Sequence, residues 1–208
     1  LKDFLYRLFA DPEILGIPFA PLRKAIAWTI ATTRESESAK TYEKIGWSPI
    51  RCWTEKSAIL LEASLAASWP GERPVVRSAM TCSAPLVEEV LPELRAAGVT
   101  RLLVLPLYPQ YSVTTTRSTF NRVGQVLRRM GWSPERVDAP GAWYSEPRFL
   151  DAHAARIEAA AATLPDPDPA ATVLLYSAHS LPVSTVEKNA DPYPRQIEEC
   201  CALLDARL

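Results

Sequence analysis

The 208 residues suffice for one ordinary domain or two small ones, and the 48% hydrophobic and 23% charged fractions are those of a globular chain. A net charge of −1 gives no field that would draw in nucleic acid, and no apolar run approaches the roughly 20 residues of a membrane-spanning helix. Proline is frequent and glycine scarce, 19 against 7, and no glycines are spaced for a G-x-G-x-x-G turn or a Walker loop, so the usual phosphate cradles are excluded.

Leu1, Phe4, Leu5 and Leu8 recur at helical spacing until Asp11-Pro12 ends the run. The chain opens with that pattern already under way and without Met, the expectation for a piece of a longer protein. Residues 14–19 are apolar and broken by Pro18, which predicts a lip or loop, partly exposed, rather than a helix. A helix over 22–31 follows, then a polar segment over 34–48 carrying Tyr42 and Trp47. Residues 55–69 read as a helix closed by Pro70-Gly71. Residues 74–80 read as a strand and 86–97 as a helix stopped by Gly98. The near-continuous apolar run over 101–106 predicts a strand buried on both faces of a parallel sheet. A helix over 116–130, a short strand near Val137 and a long alanine-rich helix over 146–164 come next. A second buried strand over 172–177 and a helix over 194–208 complete the chain. Strands alternating with such helices predict β-α-β crossovers, hence an α/β fold with a parallel sheet. The Asp166-Pro167-Asp168-Pro169 hinge separates a first domain over 1–165 from the first β-α unit of a second over 166–208.

Cys52, Cys82, Cys200 and Cys201 make no C-x-x-C pair, and the only histidines are His153 and His179. These do not supply the closely spaced ligands of a structural zinc site, and no resident cofactor is expected. With no secretory pattern at the start, the cysteines are read as reduced thiols of a cytoplasmic protein. His153 falls in mid-helix as an ordinary helix residue. His179 follows a predicted strand at its carboxyl end, where open parallel sheets bind ligands. A lone histidine is more often structural, so spacing alone leaves its role open. The other strand-end loop carries Tyr108, Tyr111 and the hydroxyl run Ser112 to Thr116. The hydroxyls would cap the next helix or line a polar wall, and the tyrosines are packing residues or flat surfaces for a flat ligand.

Four segments, in order and spread over nearly the whole chain, resemble the ferrochelatase family. Ile45-Gly46-Trp47-Ser48-Pro49 resembles its IGGGSP turn, and Leu105-Pro106-Leu107-Tyr108-Pro109-Gln110-Tyr111-Ser112 its LPLYPQYS signature. Trp143-Tyr144-Ser145-Glu146-Pro147 is similar to a WYDEP element of bacterial members. Tyr176-Ser177-Ala178-His179-Ser180-Leu181-Pro182, with Asp191-Pro192-Tyr193-Pro194-Arg195-Gln196, resembles its SAHSLP…GDPYPxQ segment.

The resemblance implies two Rossmann-like parallel-sheet halves with a porphyrin cleft between them, the second half only partly present. It implies insertion of Fe²⁺ into protoporphyrin IX or coproporphyrin III, in haem biosynthesis. By position His179 matches the histidine that faces the porphyrin centre, as proton acceptor or as ligand of the incoming metal. Arg34, Tyr42 and Ser48 match the arginine, tyrosine and serine placed around the porphyrin and its propionates. A guanidinium pairs bidentately with a carboxylate, and hydroxyls add hydrogen bonds. Residues 14–19 would flank the mouth of the cleft and touch a membrane or an apolar porphyrin, which implies a cytoplasmic protein with peripheral membrane contact. Porphyrin and ferrous iron are the implied partners; the iron–sulfur cluster of some members is not supported by these four cysteines.

The chain also departs from the family pattern. Trp47 stands where glycine is usual, in a shortened turn. Thr81-Cys82-Ser83-Ala84-Pro85 replaces a basic or aromatic pair before Gly-x-Pro, and Asn189-Ala190 replaces the glycine before Asp191. The family's opening NLGxP segment and the glutamate opposite its histidine have no counterpart here, so the resemblance implies a partial chain lacking both ends. The rival reading is a non-catalytic tetrapyrrole-binding relative that keeps the cleft and has lost insertion.

Overall fold

The apolar spacing of the first residues closes into helix α1 (Lys2–Phe9), which buries Leu5 and packs against the long helix α3 (Ala20–Lys44). Ala27 and Ala31 of α3 are fully buried, and their small side chains permit a close helix approach. The computed structural model describes residues 1–165, 168 and 171–208, so the expected hinge at Asp166, Pro167 and Pro169 lies outside the described residues. The chain forms two compact units.

The first unit comprises Leu1–Leu103 and Ser118–Asp138. Between α1 and α3 runs the apolar lip, part of which is the one-turn helix α2 (Pro12–Leu15) where a loop was expected. Asp11 caps it by accepting the Glu13 N–H at 2.8 Å, and Gly16 closes it at φ +64°, a left-handed turn that suits glycine. Arg23 of α3, nearly buried, donates from Nε to the Ala10 carbonyl at 2.8 Å and from Nη1 to that of Ile17, fastening the lip at both ends. Ile14, Leu15 and Ile17 are nevertheless only half-buried and Phe19 is 66% exposed, in line with the expected partial exposure.

Helix α3 continues thirteen residues past the predicted end at Ala31. The stretch read as a polar segment carries the helix formers Glu, Lys, Arg and Ala and lacks Gly or Pro until Gly46, so it propagates as a solvent-facing helix. Helix α4 (Ile50–Ser68) starts earlier than expected and buries no residue. Helix α5 (Val87–Ala96) packs on α6 (Ser118–Met130) through buried Val87, Val90, Leu91, Leu94, Val123 and Val126, with an ion pair between Glu88 and Arg122. Strands β1 (Arg101–Leu103) and β2 (Arg136–Asp138) pair in parallel, with Leu102 opposite Val137. This parallel pair between helices establishes the α/β character.

The predicted strands are otherwise corrected. β1 stops at Leu103, and only Leu102 of it is buried, since a two-stranded sheet cannot cover both faces of either strand. Residues 74–79 form no ladder: the Val76 N–H donates instead to Glu62 Oε2 at 2.7 Å, and Met80 makes one isolated bridge with Leu86. Residues 172–177 form no strand either, and Val173 and Leu175 are 87% and 84% exposed. An apolar run becomes a buried strand only where neighbours take up its N–H and C=O groups, and among the described residues none lies beside it.

The second unit comprises Val104–Arg117 and Ala139–Leu208. Its core joins Leu150 of α7 (Pro147–Ala161) to Cys200 and Leu204 of α9 (Tyr193–Asp205), flanked by Tyr144, Phe149 and Tyr176. The Tyr176 hydroxyl donates to Asp205 Oδ1 at 2.8 Å; partial burial and this carboxylate push the phenol up to about 12. A short helix α8 (Val183–Asn189), not foreseen from the sequence, ends at Ala190 with φ +47°. A five-residue π-turn over Val113–Arg117 stands where the predicted helix over 116–130 would begin.

Candidate functional site

In the second unit the motif segments hold one another. Asp191, 5% exposed, is the hub: its Oδ2 accepts the Ser112 hydroxyl and the Val113 N–H, both at 2.8 Å, and its Oδ1 accepts the Tyr193 N–H at 3.0 Å. Gln196 Oε1 accepts the Tyr111 N–H at 2.7 Å. Trp143 completes the set, its backbone N–H donating to the Pro109 carbonyl at 2.8 Å and its indole N–H to that of Pro106 at 3.2 Å. The loop over 105–113 is therefore fastened to two other segments through backbone groups that would otherwise lack partners. The hydroxyl of Ser112, almost wholly buried, accepts the Thr114 N–H at 3.2 Å as the expected cap and at the same time donates to the buried Asp191 carboxylate.

His179 is exposed and lies in an irregular segment rather than after a strand. It opens onto a cleft of about 290 Å³ lined by residues 178–181 and by Tyr193, Pro194, Ile197 and Glu198 of α9. Asp191 thus seats the start of the helix that forms part of the same cleft. Tyr144 donates its hydroxyl to Glu199, and that bond, with the Arg195 guanidinium at 2.7 Å, holds the Glu199 carboxyl below its usual range. His153 is an exposed residue of α7 whose Nδ1 lies 3.0 Å from the Phe149 carbonyl, an ordinary helix position.

The other three candidate residues belong to the first unit. Arg34 is exposed on α3, and Tyr42 lies two turns further along the same helix, about 12 Å on. Helix α3 ends in a Schellman turn: the Gly46 N–H bonds to the Glu43 carbonyl at 3.1 Å and the Trp47 N–H to that of Tyr42 at 2.9 Å. Gly46 and Trp47 both have φ +68°. This turn brings the Trp47 ring parallel to that of Tyr42, with centroids 5.9 Å apart and planes within 9°. Ser48 is exposed, and its hydroxyl accepts the Ile50 N–H at 3.4 Å at the start of α4. Tyr42 and Ser48 are thus gathered at one helix end, with Arg34 on the same helix and His179 in the other unit.

From the sequence, Asp191, Gln196 and Trp143 are motif members with no role assigned, and Ser112 is a cap or pocket-wall hydroxyl whose buried carboxylate partner is not legible. One signal was available for Asp191: an aspartate immediately before Pro-x-Pro at a helix start is a capping pattern. The cysteines are all free thiols, and burial pushes Cys82 and Cys200 up. Among the described residues no three His, Cys, Asp or Glu side chains converge as a metal site.

The ferrochelatase family model matches residues 1–208. The chain belongs to the ferrochelatase family. It is 40% identical to a ferrochelatase of Synechococcus sp. (strain JA-3-3Ab) over 211 residues, covering 98% of this chain and 59% of that protein. It is 39% identical to the Gloeobacter violaceus ferrochelatase, covering 98% of this chain and 62% of that protein. The Nostoc punctiforme ferrochelatase is 36% identical, with 97% of this chain and 51% of that protein covered. The chain thus spans little more than half the length of these ferrochelatases. Among the described residues no helix is long and apolar enough to cross a membrane.

Proposed function

We propose that the whole protein inserts ferrous iron into a porphyrin, protoporphyrin IX or coproporphyrin III, in haem biosynthesis. The observation that carries the reading is the hydrogen-bonded locking of three family motifs in the unit that holds the His179 cleft. We further propose two Rossmann-like halves, with residues 1–165 forming the first and 166–208 opening the second.

Insertion removes two pyrrole protons as Fe²⁺ takes their place, leaving the iron porphyrin and two H⁺. A flat macrocycle hides its nitrogen lone pairs, so a site that binds it bent spends binding energy on moving it toward the transition state. His179, exposed and with no hydrogen bond among the described residues, would accept a pyrrole proton or hold the incoming ion. Arg34 would pair with a propionate, and Tyr42 and Ser48 would donate further hydrogen bonds. Because the Arg34 side chain is exposed, Arg34→Ala should weaken porphyrin binding by roughly 1.5–3 kcal/mol and leave Tm nearly unchanged. Porphyrin fluorescence titration with a parallel melting curve reads both. Unchanged affinity would return Arg34 to a solvated surface charge.

The lip supports peripheral membrane contact, since Phe19 is 66% exposed on a segment held in place by Arg23. Replacing Phe19 by Glu should lower co-sedimentation with phosphatidylcholine vesicles by about tenfold, the worth of burying one phenyl ring. Equal sedimentation of the two proteins would remove the membrane from the proposal.

A further inference from the structure

We infer that Trp47 and Tyr42 together form a stacking platform for the porphyrin face, with Trp47 a specificity-determining residue of this chain; the inference rests on the ferrochelatase reading above. Three observations converge on it. The two rings are stacked nearly parallel with centroids 5.9 Å apart, and Trp47 remains 50% exposed, so the pair presents flat aromatic surface to solvent. Trp47 also keeps φ +68°, a left-handed backbone that a bulky side chain adopts only at a cost. The Schellman turn itself needs glycine only at Gly46, so α3 would end as well with a glycine at position 47. Its contact with Tyr42 is the one such a turn commonly makes, but a large ring held in a strained conformation and left half in water is more than the turn requires. It suits a flat, aromatic, carboxylate-bearing ligand, with Ser48 beside it and Arg34 two turns back on α3.

The test uses the full-length protein and protoporphyrin IX, read by porphyrin fluorescence, with thermal melts of each variant. Trp47→Gly removes the ring and relieves the left-handed strain; that relief offsets the added chain entropy and the lost Tyr42 contact, so Tm should shift by no more than about 2 °C. Porphyrin affinity should fall roughly tenfold, as expected for losing one stacked ring. Trp47→Phe should recover most of that loss. Wild-type affinity in Trp47→Gly would overturn the inference and leave the ferrochelatase reading standing. A fall of several degrees in Tm, with binding lost in both variants, would also overturn it by making Trp47 a structural turn residue. Absence of porphyrin binding by the wild-type protein would overturn the inference and the functional reading together.

Discussion

His179→Ala in the full-length protein is expected to fold and to bind porphyrin like the wild type, yet to insert iron roughly 10²–10⁴-fold more slowly. The first half of the expectation follows from exposure. The ring is solvent-accessible, and among the described residues no hydrogen bond holds it, so truncation opens no cavity and strands no buried donor. The second half follows from chemistry: two protons must leave as the metal enters, and an imidazole is the side chain best suited to take one or to hold the ion near neutral pH. Melting curves, porphyrin titration and a metallation rate measured on the same preparation separate the two halves. A variant that inserts iron at close to the wild-type rate would make His179 a surface residue, and the cleft it lines would need another role.

Asp191→Ala should act in the opposite way, through stability. The substitution leaves the Ser112 hydroxyl and the Val113 and Tyr193 N–H groups without their acceptor, with Ser112 1% exposed. Removing one side of such a buried, charge-assisted cluster costs roughly 3–5 kcal/mol. At about 2–4 °C per kcal/mol, Tm should fall by something on the order of 10 °C. Asp191→Asn keeps one accepting oxygen but turns an NH₂ toward the remaining donors, so its loss should be intermediate. Calorimetry of the three proteins checks the order. A Tm for Asp191→Ala within 2 °C of wild type would mean that water replaces the carboxylate and that the loop over 105–113 is held by other bonds.

The contrast between these residues marks what a single sequence can and cannot say. The amphipathic helices were legible because their signal is local: Leu5 in α1 and the Val87, Val90, Leu91 and Leu94 stripe in α5 sit at helical spacing and are buried. The continuation of α3 through Lys44 was missed because an exposed helix has no apolar stripe, only propensity. The strand near Val137 and the start of the one over 101–106 formed, and two other predicted strands failed for a different reason. Residues 74–80 and 172–177 have strand composition, but a strand is made by its neighbours, and the Val76 N–H found a side-chain acceptor instead. The role of Asp191 was illegible for the same physical reason. Its donors at Ser112 and Val113 lie 79 and 78 residues away, and no periodicity connects them. The Trp47–Tyr42 stack needs the exact geometry of the turn at Gly46, which composition does not report.

The most direct test is to supply the full-length protein with protoporphyrin IX and ferrous iron under reducing, anaerobic conditions and follow the porphyrin absorption bands. Iron insertion well above the protein-free rate, with porphyrin binding that precedes it, is the expected result. Tight porphyrin binding with metallation no faster than in buffer would contradict it and mark the protein as a tetrapyrrole binder that has lost the reaction.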